Sequence, residues 1–139
     1  MGRINLKGVI VGGLVAGLVL NVFDYLFWGV IYAEEMAASL KALNRPPAEQ
    51  FIPLWVGLDF LYGIALVYVY AAIRPRFGAG PGTAVRAGVI GWVLVGLFHA
   101  IGEAPMGLFP MRLYVVGTLV ALVTIPLATV AGAKFYKEP

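Results

Sequence analysis

Ionisable side chains are scarce in this 139-residue chain, and four of them fall inside apolar runs: Asp24, Asp59, His99 and Glu103. A charge near the centre of a bilayer costs about 2.5–3.5 kcal/mol even on the mildest scale, so residues of this kind need partners, water or protonation. His99 and Glu103 are spaced i, i+4 and would share one face of a helix. An imidazole together with carboxylates can hold a divalent metal, relay a proton or bind a polar solute. His99 alone offers the axial ligand for a haem iron or for the magnesium of a pigment. Glu103 or Asp59 is also placed to act as a general base, on a lipid-like or small polar substrate.

Other chemistry lacks its raw material. The chain has no cysteine, which removes disulfides, thiolate metal sites and thiol nucleophiles together. Ser39 is its single serine and His99 its single histidine, so neither a serine triad nor a multi-histidine metal centre can be assembled. The sequence assigns no catalytic residue and requires no cofactor; a pigment, a haem or a divalent metal enters only through His99, the metal with Glu103 as a second ligand.

The elements that must carry these residues follow from composition. Hydrophobic residues make up 61% of the chain and charged residues 12%, about half the charged share of a soluble domain. A helix crossing about 30 Å of hydrocarbon needs about 20 apolar residues. The sequence predicts one transmembrane domain over 1–139, with spans at about 4–32, 51–73, 84–102 and 111–135. The basic, apolar beginning imitates a secretory signal, but no A-x-A pattern follows closely, and it is read as a retained first span. Residues 33–50 are the most polar stretch. Met36, Leu40 and Leu43 recur at helical spacing among Glu34, Glu35, Lys41 and Arg45, as in a short amphipathic helix at the interface. Arg74-Pro75-Arg76 is expected to close the second span, and Pro126 to kink the fourth. The runs lack the period-two alternation of barrel strands.

Lysine and arginine set the orientation, since their excess marks the cytoplasmic side. With both termini inside, that side carries Arg3, Lys7, Arg74, Arg76, Arg86, Lys134 and Lys137, and the other side Lys41, Arg45 and Arg112. The expected fold is all-α: an integral membrane four-helix bundle running up-down-up-down with both termini cytoplasmic. The basic residues sit at the ends of apolar runs, so the net charge of +3 marks topology and not a nucleic-acid partner.

Helices in lipid associate through small residues and a few polar contacts. Gly13 and Gly17 in the first span, Gly96 in the third, and Gly117 and Ala121 in the fourth are the expected packing positions. Asn21 and Asp24 continue the first stripe, and His99 and Glu103 continue the third. Counted at about 1.5 Å per residue, Asp24, Asp59, His99 and Glu103 reach similar depths in the outer half, near Asn21. The sequence therefore predicts that they converge on an outward polar pocket with Arg112 at its rim. The alternative is that the same groups hydrogen-bond one another, set the helix register and bind nothing.

Several motifs support the architecture: Ile4-Asn5-Leu6 with Gly12-Gly13-Leu14-Val15-Ala16-Gly17, Asn21-x-x-Asp24, Leu43-Asn44-Arg45-Pro46-Pro47, and Tyr70-Ala71-Ala72-Ile73-Arg74-Pro75-Arg76-Phe77-Gly78. Together they resemble a group of small four-span bacterial inner-membrane proteins. The resemblance implies the fold and a bacterial inner-membrane location, and carries over no functional residue. Two roles are expected from so short a chain with packing faces and one polar cluster. The first is an accessory or stabilising subunit, alongside other membrane subunits or further copies of itself in the lipid bilayer. The alternative is a binding or transport protein that takes a metal ion or small polar solute into the outward pocket.

Overall fold

The computed structural model describes residues 3–138, and all regular structure among them is helical. Four helices are long and apolar enough to cross a membrane: Leu6–Ile31, Ala48–Phe77, Pro81–Met106 and Met111–Ala133. The chain is a multi-pass membrane protein by that criterion.

The first span begins with α1 (Leu6–Asp24) and continues in wider π-helical turns over Tyr25–Ile31. Asn5 caps α1, its side chain accepting from the Gly8 amide at 3.1 Å while its own amide donates to the Lys137 carbonyl at 2.8 Å. One residue thus satisfies an orphan N–H at the helix start and joins the beginning of the first span to the end of the fourth. The polar stretch folds as α2 (Ala33–Ala42), with Glu34 and Glu35 in its first turn and Lys41 in its last, the signs that complement a helix dipole.

The third helix, α3 (Ile52–Phe77), follows a 3-10 turn at Ala48–Phe51. It runs past the expected stop at Ile73, through Pro75, to Phe77. Gly78 ends it, at φ 83°, where an L side chain is strained. The third span is composite: α4 (Pro81–Gly91), π-helical turns over Trp92–Leu97, α5 (Phe98–Glu103) and a 3-10 turn at Ala104–Met106. It starts at Pro81, earlier than expected, since a proline at the first helical position gives up an N–H that has no intrahelical partner there. The fourth span is α6 (Met111–Ala133), with Pro126 inside it.

Packing rests on missing side chains. A Cβ on Gly13 would strike the backbone of Ile64, one on Gly17 the backbone of Phe60, and one on Gly63 the backbone of Gly13 and Gly17. Partner numbers on α3 fall as numbers on α1 rise, so these two helices run antiparallel. Gly12 meets Gly132 on α6, and Gly88 on α4 meets Pro126. Gly117 makes room for the Trp28 ring, and Ala121 packs against the core. Gly96 departs from expectation. Its neighbour is Trp92 of its own helix, whose indole N–H donates to the Thr118 carbonyl at 2.9 Å, so the indole and not the glycine makes this contact with α6.

The core occupies one end of the molecule. Ala16, Leu66, Val67, Tyr70, Ala84, Ala87, Ala128 and Tyr136 are buried there, at the end where the termini meet. Tyr70 and Tyr136 pack edge to face at 5.9 Å, and the Arg74 guanidinium lies 5.6 Å from the Tyr136 ring centroid and 3.7 Å from the Glu138 carboxylate. Towards the other end the π-helical turns and α5 bury no residue, and α3 buries none before Gly63. The first two spans part there.

Candidate functional site

The parting leaves a cleft of about 850 Å³ between the far end of the first span, α2 and the start of α3. Asp24 enters it from the last residue of α1, and Asp59 from two turns into α3. Their carboxyl groups meet within hydrogen-bonding reach. An ionised carboxylate only accepts, so a hydrogen bond between two carboxyl groups requires a proton on one of them. Asn21 lies one turn before Asp24 and is fixed by its own helix and the next, its amide donating to the Gly17 carbonyl at 2.9 Å and the Val56 carbonyl at 3.4 Å.

The close approach of Gly13 and Gly17 to Gly63 explains how two carboxylates come together. It brings α1 and α3 nearly backbone to backbone, about two and three turns before Asp24. Beyond Asp24 the wider turns carry Tyr25 and Trp28 along the cleft, opposite Trp55, which is 43% exposed. Met36 and Leu40 of α2 form an apolar lid, and Lys41, Arg45 and Glu49 add charges of both signs to the lining. The lining is thus an acid pair in an aromatic and aliphatic wall. Sequence reasoning finds Asn21, Asp24 and Asp59 but misses Tyr25, Trp28, Trp55, Lys41, Arg45 and Glu49. The helical spacing of Met36 and Leu40 is the signal that α2 has an apolar face to lay on something.

The other expected members stand elsewhere. His99 and Glu103 do not line the cleft. His99 Nε2 lies 3.0 Å from Glu103, and the His99 side chain is 67% exposed. Glu103 accepts a hydrogen bond from the Tyr114 hydroxyl at 2.7 Å, joining the third span to α6. The stripe through Gly96, His99 and Glu103 assumes 3.6 residues per turn throughout. The π-helical turns over Trp92–Leu97 rotate less per residue, so the residues after them leave that stripe. Arg112 is also displaced from the expected rim, held 3.2 Å from Glu35 with its guanidinium 5.9 Å from the Tyr32 ring centroid. Two polar clusters therefore replace the single expected one.

Each cluster bears on ligation. His99 and Glu103 supply two donors, and among the described residues no three His, Asp or Glu side chains come together as a metal site. The Tyr62 hydroxyl, close to where a Cβ on Gly91 would stand, is buried without a hydrogen-bond partner among the described residues.

No family model, curated protein or solved structure matches the chain.

Proposed function

We propose that the chain is a solute-binding or transport protein of a bacterial inner membrane, an up-down-up-down four-helix bundle with both termini cytoplasmic and its cleft open to the outside. The observation that carries this reading is the meeting of Asp24 and Asp59 in a cleft of about 850 Å³. That volume lies within the range of small-molecule pockets, about 300–1,000 Å³. Orientation is supported by the excess of Lys and Arg at the end where Asn5 meets Lys137. A bare divalent metal is a poor occupant of so large a space with two carboxylates, and a small polar or charged solute a better one.

The test is thermal unfolding of the purified protein in mild detergent against a panel of divalent cations, organic ammonium and phosphonium ions, amino acids and sugar phosphates. A solute at 100 times its dissociation constant adds about 2.7 kcal/mol. At least one class should raise the midpoint of the wild type and leave the Asp24→Asn/Asp59→Asn variant unmoved. A panel that shifts neither protein contradicts the reading.

A specific observation favours the second role, an accessory or stabilising subunit. His99 projects from a membrane-spanning segment with two thirds of its side chain uncovered, a polar group that a neighbouring subunit or a second copy would shelter. Native mass spectrometry from the source membrane distinguishes the roles, since an accessory subunit leaves with its partners. The absorption spectrum of the same sample reports whether a haem or pigment sits on His99.

A further inference from the structure

Building on the reading of the cleft as a solute site, we propose that its ligand is a lipophilic organic cation, an ammonium or phosphonium of drug size, bound in exchange for the proton that Asp24 and Asp59 share. Four features of the cleft select that class. Asp24 and Asp59 put two carboxylates side by side, so one cation can be neutralised while one negative charge remains, and the other charged residues of the lining, Lys41, Arg45 and Glu49, belong to α2, the loop after it and the 3-10 turn. Its walls present Tyr25, Trp28 and Trp55, and aromatic faces attract a cation near their centroids without requiring it to donate hydrogen bonds. Its volume exceeds what a metal ion or a hydrated sodium needs and suits a solute with apolar substituents. Its lid, Met36 and Leu40 from α2, is apolar and adaptable in shape.

The exchange balances. In the empty site one carboxyl O–H donates to the neighbouring carboxylate. When the cation enters, that O–H bond breaks, the proton leaves to water and two carboxylates face the cation, so the net charge of the occupied floor equals that of the empty one. The remaining charged or titratable groups of the lining are Lys41 on α2, Arg45 in the loop after it, Glu49 in the 3-10 turn and Tyr25 on the first span. The proton exchanged is that of the Asp24 and Asp59 pair.

The experiment uses the purified full chain and two probes of nearly identical shape and opposite charge, tetraphenylphosphonium and tetraphenylborate. Two of the three tryptophans line the cleft, so intrinsic fluorescence reports occupancy directly. Tetraphenylphosphonium should quench saturably and release one proton per cation in weak buffer. Its affinity should fall about tenfold per pH unit where the shared proton competes. Asp24→Asn and Asp59→Asn should each weaken it by about tenfold or more, and Trp55→Leu by about tenfold. Glu103→Gln, a carboxylate change outside the cleft, should leave it unchanged, and Asp59→Glu should retain saturable binding if Asp59→Asn fails to fold. Equal binding of tetraphenylborate, or undiminished binding in both folded Asn variants, would overturn the proposal. If another solute in the panel stabilises the wild type while tetraphenylphosphonium neither binds nor quenches, the cation class is wrong and the cleft remains a solute site. Silence from every solute removes both.

Discussion

Gly12 and Gly132 meet backbone to backbone, the carbonyl oxygen of each occupying the place where the other's side chain would begin. Lipid supplies no hydrophobic drive for helix association, so contact of this kind must supply it through dispersion between closely packed backbones. Gly12→Ala or Gly132→Ala should therefore destabilise the protein by about 1–3 kcal/mol, the usual cost of overpacking. Gly57→Ala and Gly102→Ala add a Cβ where nothing lies within 4 Å. They should be neutral or stabilise by up to about 1 kcal/mol through helix propensity. Reversible unfolding in mixed micelles, followed by circular dichroism, separates the two pairs, and equal effects would contradict this account of the core.

Tyr62 buries a hydroxyl that finds no partner among the described residues, and an unpaired polar group of this kind costs about 1–3 kcal/mol. Tyr62→Phe should leave stability unchanged or raise it by about 1 kcal/mol. Trp92→Phe removes the donor to the Thr118 carbonyl and should lower stability by about 1 kcal/mol. The same unfolding assay reads both, and the predicted signs are opposite.

The third and fourth spans are joined at their far ends through Glu103 and Tyr114. A double-mutant cycle with Glu103→Gln and Tyr114→Phe should give a coupling of about 0.5–3 kcal/mol, while Asp59→Asn paired with Tyr114→Phe should add independently. Coupling between Asp59 and Tyr114 would mean that the two polar clusters act as one.

Much of this was legible because hydropathy over a span-length window averages out local detail. The four spans, the amphipathic helix after the first and the pairing of Asp24 with Asp59 follow from counting residues along straight helices. Helix ends were less legible: Pro81 stands at a first helical position, where its missing N–H removes nothing, while α3 runs through Pro75 although a proline there gives up a helix bond. The faces of the third span were not legible at all. Wider turns at Trp92–Leu97 break the 3.6-residue spacing on which the placement of His99 depended, and no residue pattern announces them. The cleft walls escaped because they come from a polar segment whose position depends on how far the first two spans separate, a tertiary property.

The proposed function requires a cleft at the end of the helices opposite the chain termini that is reached from the outside. Because the chain contains no cysteine, single substitutions give an unambiguous labelling pattern. The direct measurement is modification of Ala37→Cys, Val56→Cys and Arg76→Cys in intact cells by a membrane-impermeant maleimide. Ala37→Cys and Val56→Cys should react from outside, and Arg76→Cys only after the membrane is permeabilised. Reaction of Arg76→Cys in intact cells, with the two cleft positions protected until permeabilisation, would contradict the orientation and the site built upon it.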